Sequence, residues 1–182
     1  MPKAFTVLWT RDVCRSLRRE GRVGERPPVA FSGIHTSLPK WSAARPGDLV
    51  FALHVKACVV HVVTRMQIID KQRRDCCGPE PATYQDPAFP GHTDWAMLGA
   101  GGCGATPVHV EATPVTLDVP VPAEMLERFT FLGRQGGRDL KYVNDGRLTN
   151  AIRLQGFYRL TDDTAADLDD LAAAIPARGP AA

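Results

Sequence analysis

The chain has 182 residues, 44% of them hydrophobic, which suits one domain with an ordinary core and excludes a fibrous or disordered protein. No apolar run approaches the roughly 18 residues of a membrane span, and the start MPKAFTVLWTRDV lacks a signal-peptide pattern, so a cytoplasmic protein is expected. Its 22 basic and 20 acidic residues leave a net charge of +2, which by itself names no polyanionic partner.

Taken in chain order, residues 4–9 (Ala-Phe-Thr-Val-Leu-Trp) are β-branched and aromatic and predict a buried strand. From Asp12 to Glu20 the apolar Val13 and Leu17 are four apart with arginines between them, which predicts a short amphipathic helix. Gly21, Gly24, Pro27 and Pro28 end it in a loop. Residues 32–45 read as a polar, proline-interrupted connection with little regular structure. Arg45-Pro46-Gly47-Asp48 is a turn, Leu49–Val55 a strand, Lys56-Ala57 a tight connection and Cys58–Ile69 a second strand, together an antiparallel hairpin.

Residues 71–93, rich in Pro, Gly, Asp and Cys, predict a surface excursion. Asp94–Leu98 reads as a strand, residues 99–104 as a turn, and Val108–Leu117 as a further strand broken by Pro114. Pro122–Arg128 reads as a helix opened by proline, and Phe129–Leu132 is short and apolar. Residues 133–150 are polar with four glycines, and Leu154–Leu160 alternates as a last strand. Thr161 then caps a helix from Asp162 to about Ala174, its acids suiting the helix N-terminus. One domain is expected over residues 4–175, with 176–182 a disordered tail.

Few motifs carry chemistry. Five cysteines, odd in number and irregularly spaced, form no disulfide framework, and the adjacent Cys76 and Cys77, with His92 and Cys103 beyond, fit zinc spacing poorly; no metal or cofactor is expected. The glycines of residues 99–104 precede a strand, whereas a phosphate loop needs a helix N-terminus there. No Gly-x-Ser-x-Gly elbow is present, and Lys56 beside His54 has no acidic partner placed by sequence. The charge distribution is more telling: Arg11, Arg15, Arg18, Arg19, Arg22 and Arg26 fall within sixteen residues holding only Asp12, Glu20 and Glu25. Such a cluster either neutralises phosphates or forms a solvated helix face. Trp9, Phe31, Trp41 and Trp95 sit near expected strand ends, where aromatic faces either stack an extruded base or fill a core.

The order of several segments resembles a known family. A strand ending Leu8-Trp9-Thr10, a helix, a Gly-Ile-His-Thr loop and Arg-Pro-Gly-Asp-Leu-Val-Phe come first. Tyr84-Gln85-Asp86-Pro87, Asp94-Trp95-Ala96-Met97-Leu98, Thr113–Leu117 and the ending from Ala151 to Asp163 follow. Together, over roughly residues 4–174, they are similar to the EVE domain of the PUA-like superfamily, which also contains the YTH and ASCH domains.

That resemblance implies an α+β fold, a PUA-like β-barrel of about five to seven mostly antiparallel strands flanked by short helices. It also implies a pocket that accepts a modified base of RNA or DNA. Trp9 and Thr10 match the strand end opening onto that pocket, where the family prefers Lys-Ser. Phe31, Gly33, Ile34, His35 and Thr36 match a loop where the family carries Trp and Gly-Val-Arg-Asn, and Leu53 and His54 match its Tyr-His. The expectation is a monomeric, non-catalytic nucleic-acid binder. The base would stack on Trp9 and Phe31 with polar contacts from Thr10, Ser32, His35, Thr36 and His54. Arg15, Arg18 and Arg19, with Arg134, Arg138 and Lys141, would hold phosphates. An ASCH-type amidohydrolase using Lys56 or Thr10, or a protein-recruiting scaffold, are the alternatives.

Overall fold

The turn Arg45–Asp48 sets the first tertiary link of the fold. In a computed structural model describing residues 2–33, 39–71, 93–98 and 105–175, Gly47 takes φ +89° and the Asp48 N–H donates to the Arg45 carbonyl at 3.0 Å, the geometry that Pro-Gly favours. The buried Asp48 carboxylate accepts from the backbone N–H of Arg45 at 2.9 Å and of Lys3 at 2.8 Å. It thereby ties the start of β1 (Ala4–Leu8) to the start of β3 (Leu49–Lys56), and these two strands run parallel in register, Ala4 beside Leu49 and Leu8 beside Leu53.

Between them lie α1 (Arg11–Arg19) and β2 (Val29–Gly33). Helix α1 starts at Thr10, whose hydroxyl accepts the Val13 N–H at 3.4 Å. It ends in a Schellman motif: Gly21, at φ +71°, donates to the Arg18 carbonyl, and Arg22 donates to that of Leu17. Cys14 and Leu17, three apart, are its buried face.

The predicted hairpin is β3 with β4 (Val59–Lys71), turning at Ala57 and Cys58. Strands β5 (Ala105–Ala112) and β6 (Val119–Pro120) both pair with β4. Helix α2 (Ala123–Glu127) leads to β7 (Thr130–Gly133) and β8 (Gly136–Asp139), which form a separate hairpin; β9 (Val143–Asn144) and β10 (Arg147–Leu148) form another. Strand β11 (Tyr158–Arg159) and α3 (Asp162–Ala173) close the chain. The main sheet has the order β11-β1-β3-β4-β5-β2 and curls into a half-barrel, so the protein is a mixed α+β fold built mostly of strands with three short helices.

Strand alternation gives the sheet two buried faces. Phe5, Val7, Trp9, Val50 and Ala52 pack on one side with Leu17, Phe31, Trp41 and Trp95. Phe51, Leu53, Val60 and Val62 pack on the other with Phe129, Phe131, Leu160 and Leu168. A bulge at Val63 keeps this order, because Leu53 pairs with Val62 but Ala52 with Thr64. Without the extra residue, Met66 and Ile68 would point away from the core they occupy.

Five expectations are corrected. Residues 93–98 form a 3-10 turn instead of a strand; Trp95 and Leu98 are both buried and three apart, which is the 3-10 repeat. Ser32 and Gly33, expected in an irregular connection, end strand β2, and residues 133–150 contain β8, β9 and β10. The last strand is only two residues long, because Ala151–Leu154 is a 3-10 turn whose start is capped by Asn150 accepting the Ile152 N–H at 2.9 Å. Thr161 precedes α3 as expected, but its hydroxyl donates to the Thr130 carbonyl at 3.3 Å instead of capping the helix. Of the expected surface excursion, Lys71 ends β4 and Thr93 opens the 3-10 turn; residues 72–92 with their cysteines, and the glycine turn of residues 99–104, lie outside the described residues. Among the described residues no helix is long and apolar enough to cross a membrane.

Candidate nucleic-acid interface

The hydrophobic register of α1 decides which of its arginines can act together. With Cys14 and Leu17 buried, Arg11, Arg15 and Arg18 occupy positions four and three apart along one flank. That flank faces the C-terminal end of β3, where Lys56 closes the hairpin. The result is a cleft of about 480 Å³ lined by Arg11, Cys14, Arg15, Arg18, His54, Val55, Lys56 and Ala57. Four cations thus meet in one depression.

Their existing partners are weak. Arg15 pairs with Asp12 at 3.1 Å and Arg18 with Asp118 at 3.5 Å, and the two carboxylates are 86% and 78% exposed. Surface pairs of this kind contribute about 0–1 kcal/mol and exchange readily with solvent ions. Arg19 lies apart from the cleft, bound to the Ser16 hydroxyl at 3.2 Å and Glu20 at 3.1 Å. Arg22 and Arg26 have structural roles: Arg22 pairs with Glu25 at 2.8 Å and lies 5.6 Å from the Trp95 ring centroid, and Arg26 donates to the Ala112 carbonyl at 2.9 Å.

His54 is the polar group at the floor of the cleft. Its ring is 5% exposed, and its Nδ1 lies 3.2 Å from the Trp9 carbonyl oxygen. A carbonyl can only accept, so the neutral imidazole carries its proton on Nδ1. Burial lowers the His54 pKa from 6.5, the bond to Trp9 opposes this, and the charges of Arg18 and Lys56 lower it further. Beside it, burial pushes the Cys14 thiol up to about 12, so that group stays protonated and unreactive.

The residues expected to form a base pocket are divided by the fold. His54, Arg15 and Arg18 come together in the cleft, whereas Thr10 caps α1 next to Arg11 and is not among the lining residues. Trp9 and Phe31 share the apolar core at 6% and 3% exposure, so neither offers a free ring face among the described residues. Ser32 is buried, its hydroxyl accepting the Trp41 N–H at 2.9 Å, and Gly33 donates to the Pro39 carbonyl at 3.0 Å. Leu53 points into the opposite core, since it precedes His54 on the strand. Ile34, His35 and Thr36 lie outside the described residues. From sequence, Lys56 stands out only as a possible base and Arg11 only as one of a run; their common cleft depends on the hairpin turn, which sequence spacing does not place against α1.

A second basic depression lies on the other side of the main sheet. Arg138, Lys141 and Arg153 surround a cavity of about 70 Å³ with Phe131, Asp139 and Tyr158. Two of these cations, Arg138 and Lys141, are among those expected to hold phosphates; Arg153 is not. Arg134 does not line it. Among the described residues no group of three His, Cys, Asp or Glu side chains could hold a metal ion.

The fold and cleft define a mixed α+β domain with a half-barrel sheet and a cation-lined depression at one end of it. Compared with protein-family models and with curated proteins, the chain matches none.

Proposed function

We propose that this chain is a non-catalytic nucleic-acid-binding domain that holds one nucleotide unit of a strand in the cleft between α1 and the β3–β4 turn. The observation that carries this reading is the cleft itself. Arg11, Arg15, Arg18 and Lys56 line it without a carboxylate among the described lining residues, at a volume suited to a small-molecule ligand. Phosphate is the ligand such a group of donors suits, and a guanidinium can grip it through two parallel hydrogen bonds. The resemblance to PUA-like and EVE domains supports the same reading, and it adds the expectation that the base is a modified one. Because Trp9 and Phe31 are packed into the core, the base side of the nucleotide is assigned to the neighbourhood of His54 and not to an aromatic stack.

A hydrolase reading would need a carboxylate to work with Lys56 or with the Thr10 hydroxyl. The described lining of the cleft supplies four cations, an imidazole and a protonated thiol instead. Binding without turnover is therefore the better supported chemistry.

The test is fluorescence anisotropy with labelled single-stranded RNA and DNA, each carrying plain or methylated adenine, over a series of salt concentrations. Binding that weakens steeply with salt, and that falls in Arg15→Ala/Arg18→Ala, is expected. Wild-type protein that binds none of these strands at low salt would overturn the proposal.

A further inference from the structure

The cleft contains one feature that a simple phosphate clamp does not need. At its floor, among four cations, stands a neutral imidazole whose tautomer is fixed by the backbone. Nδ1–H is committed to the Trp9 carbonyl at 3.2 Å, and that carbonyl is itself held in place, since the Trp9 N–H donates to the Leu53 carbonyl at 2.8 Å. The other ring nitrogen, Nε2, makes no hydrogen bond to the described protein, and the ring lines the cleft. A neutral imidazole with Nδ1 protonated offers Nε2 as an acceptor only.

The surroundings keep it so. From α1 the ring is approached by Arg11, Arg15 and Arg18, from its own strand by Lys56, and from β4 by His61, which pairs with it directly. Burial is the largest influence against a second proton on His54, and the charges of Arg18 and Lys56 add to it. The described lining therefore holds donors for an anion and, on His54, a side-chain nitrogen that can only accept.

Resting on the nucleotide reading above, we propose that His54 is the specificity-determining residue of the cleft. Its Nε2 accepts a hydrogen bond from a neutral N–H or O–H donor carried within one nucleotide of the bound phosphate. Two parts of a nucleotide supply such a donor, the exocyclic amine of the base and the sugar 2′-hydroxyl. Ligands in which that group is blocked or missing leave Nε2 desolvated without a partner, which is the more costly half of losing a hydrogen bond.

The experiment compares three tetranucleotides on wild-type protein: an all-adenosine RNA, its 2′-deoxy counterpart, and an RNA of N6,N6-dimethyladenosine. Two variants separate the roles of the ring. In His54→Asn the side-chain amide can still donate to the Trp9 carbonyl, but nothing occupies the place of Nε2. In His54→Gln an amide oxygen can reach that place. Wild type is expected to lose about tenfold in affinity on one of the two altered strands. Loss on the deoxy strand assigns the sugar hydroxyl, and loss on the dimethylated strand assigns the amine. His54→Asn is expected to bind all three strands alike with an unchanged salt dependence, and His54→Gln to restore part of the discrimination.

Equal wild-type affinity for the three strands, or the same discrimination in His54→Asn, would overturn the role of His54 while leaving the nucleotide cleft standing. Failure of wild type to bind any of them would remove both. An imidazole nitrogen NMR spectrum of the free protein provides a separate check, since a proton on Nε2 at neutral pH would also overturn the proposal.

Discussion

His54 and His61 stand directly opposite each other on β3 and β4, and burial holds both imidazoles below their ordinary pKa of 6.5. A charge on His54 also disfavours one on His61, where Asp118 acts in the opposite sense. The unfolded chain takes up protons near pH 6.5 that the folded chain refuses. Stability present above that pH is therefore lost as pH falls below it, and the loss ends once both folded pKa values have been passed. Thermal unfolding from about pH 8 to about pH 5 should show the midpoint falling below pH 6.5, and His61→Gln should make the fall shallower. A profile that is identical in the variant would remove the pair as its source.

Arg15 and Arg18 test the cleft without disturbing the fold, since their side chains are 61% and 47% exposed and their ion pairs are weak. The double alanine variant should unfold within about 0.5 kcal/mol of wild type. Its affinity for single-stranded nucleic acid should fall, and the slope of log affinity against log salt should flatten by roughly 0.7 for each phosphate no longer neutralised. Arg19→Ala, outside the cleft, should change the slope little. Equal effects from Arg19 and from the pair would mean that the helix acts as a diffuse basic face.

Trp9 makes the opposite case. With 6% exposure it packs beside Phe31 and Leu17, so Trp9→Ala should cost about 3–5 kcal/mol by denaturant titration. Trp9→Phe keeps much of the packing, and its backbone still presents the carbonyl that orients His54, so binding should survive. Loss of binding in a well-folded Trp9→Phe protein would show that the indole touches ligand.

These contrasts mark how far the sequence can be read. The hairpin, α1, α2 and α3 are legible because their signals are local: Pro46-Gly47 in a turn, Val13 and Leu17 four apart, Pro122 before a short helix. Asp94–Leu98 misleads because Trp, Met and Leu so close together fit a strand as well as a 3-10 turn, and burial three residues apart decides between them. Strands β8, β9 and β10 escape notice because they are short and most of their residues are exposed, so Val143 and Leu148 make no apolar alternation. The arginine cluster is visible, but the choice among its members comes from Cys14 and Leu17 facing inward. Lys56 and His54 join it only through long-range packing of β3 against α1. Aromatic position near a strand end does not separate a stacking face from a core ring, and for Trp9 and Phe31 the core claims both.

Asp48 should be the costliest polar residue to remove. Its buried carboxylate satisfies the N–H groups of Lys3 and Arg45 at the junction of β1 and β3. Asp48→Ala strands both donors there and should destabilise by about 3 kcal/mol. Because β1 leads directly into the Trp9 carbonyl, hydrogen exchange should rise along Ala4–Trp9 before it rises in α3. A variant with wild-type stability would mean that water replaces the carboxylate without cost.

The β3–β4 turn, finally, is built from residues poorly suited to it. Ala57 and Cys58 adopt φ +51° and +65°, the left-handed pair of a two-residue type I′ turn, where Asn-Gly is the favoured sequence. A left-handed conformation costs an ordinary L-residue roughly 1–2 kcal/mol, partly offset in a Gly variant by its greater freedom when unfolded. Ala57→Asn/Cys58→Gly should therefore raise stability by about 1 kcal/mol. The Leu148 N–H bond to the carbonyl of residue 58, at 2.8 Å, uses only backbone and should persist. Since Ala57 also lines the cleft, the same variant reports on ligand binding: it adds no charge, so its salt dependence should match wild type. Denaturant midpoints decide the first point, and a lowered midpoint would show that the native turn geometry is held by packing around Val55 and Val59 against the preference of its own residues.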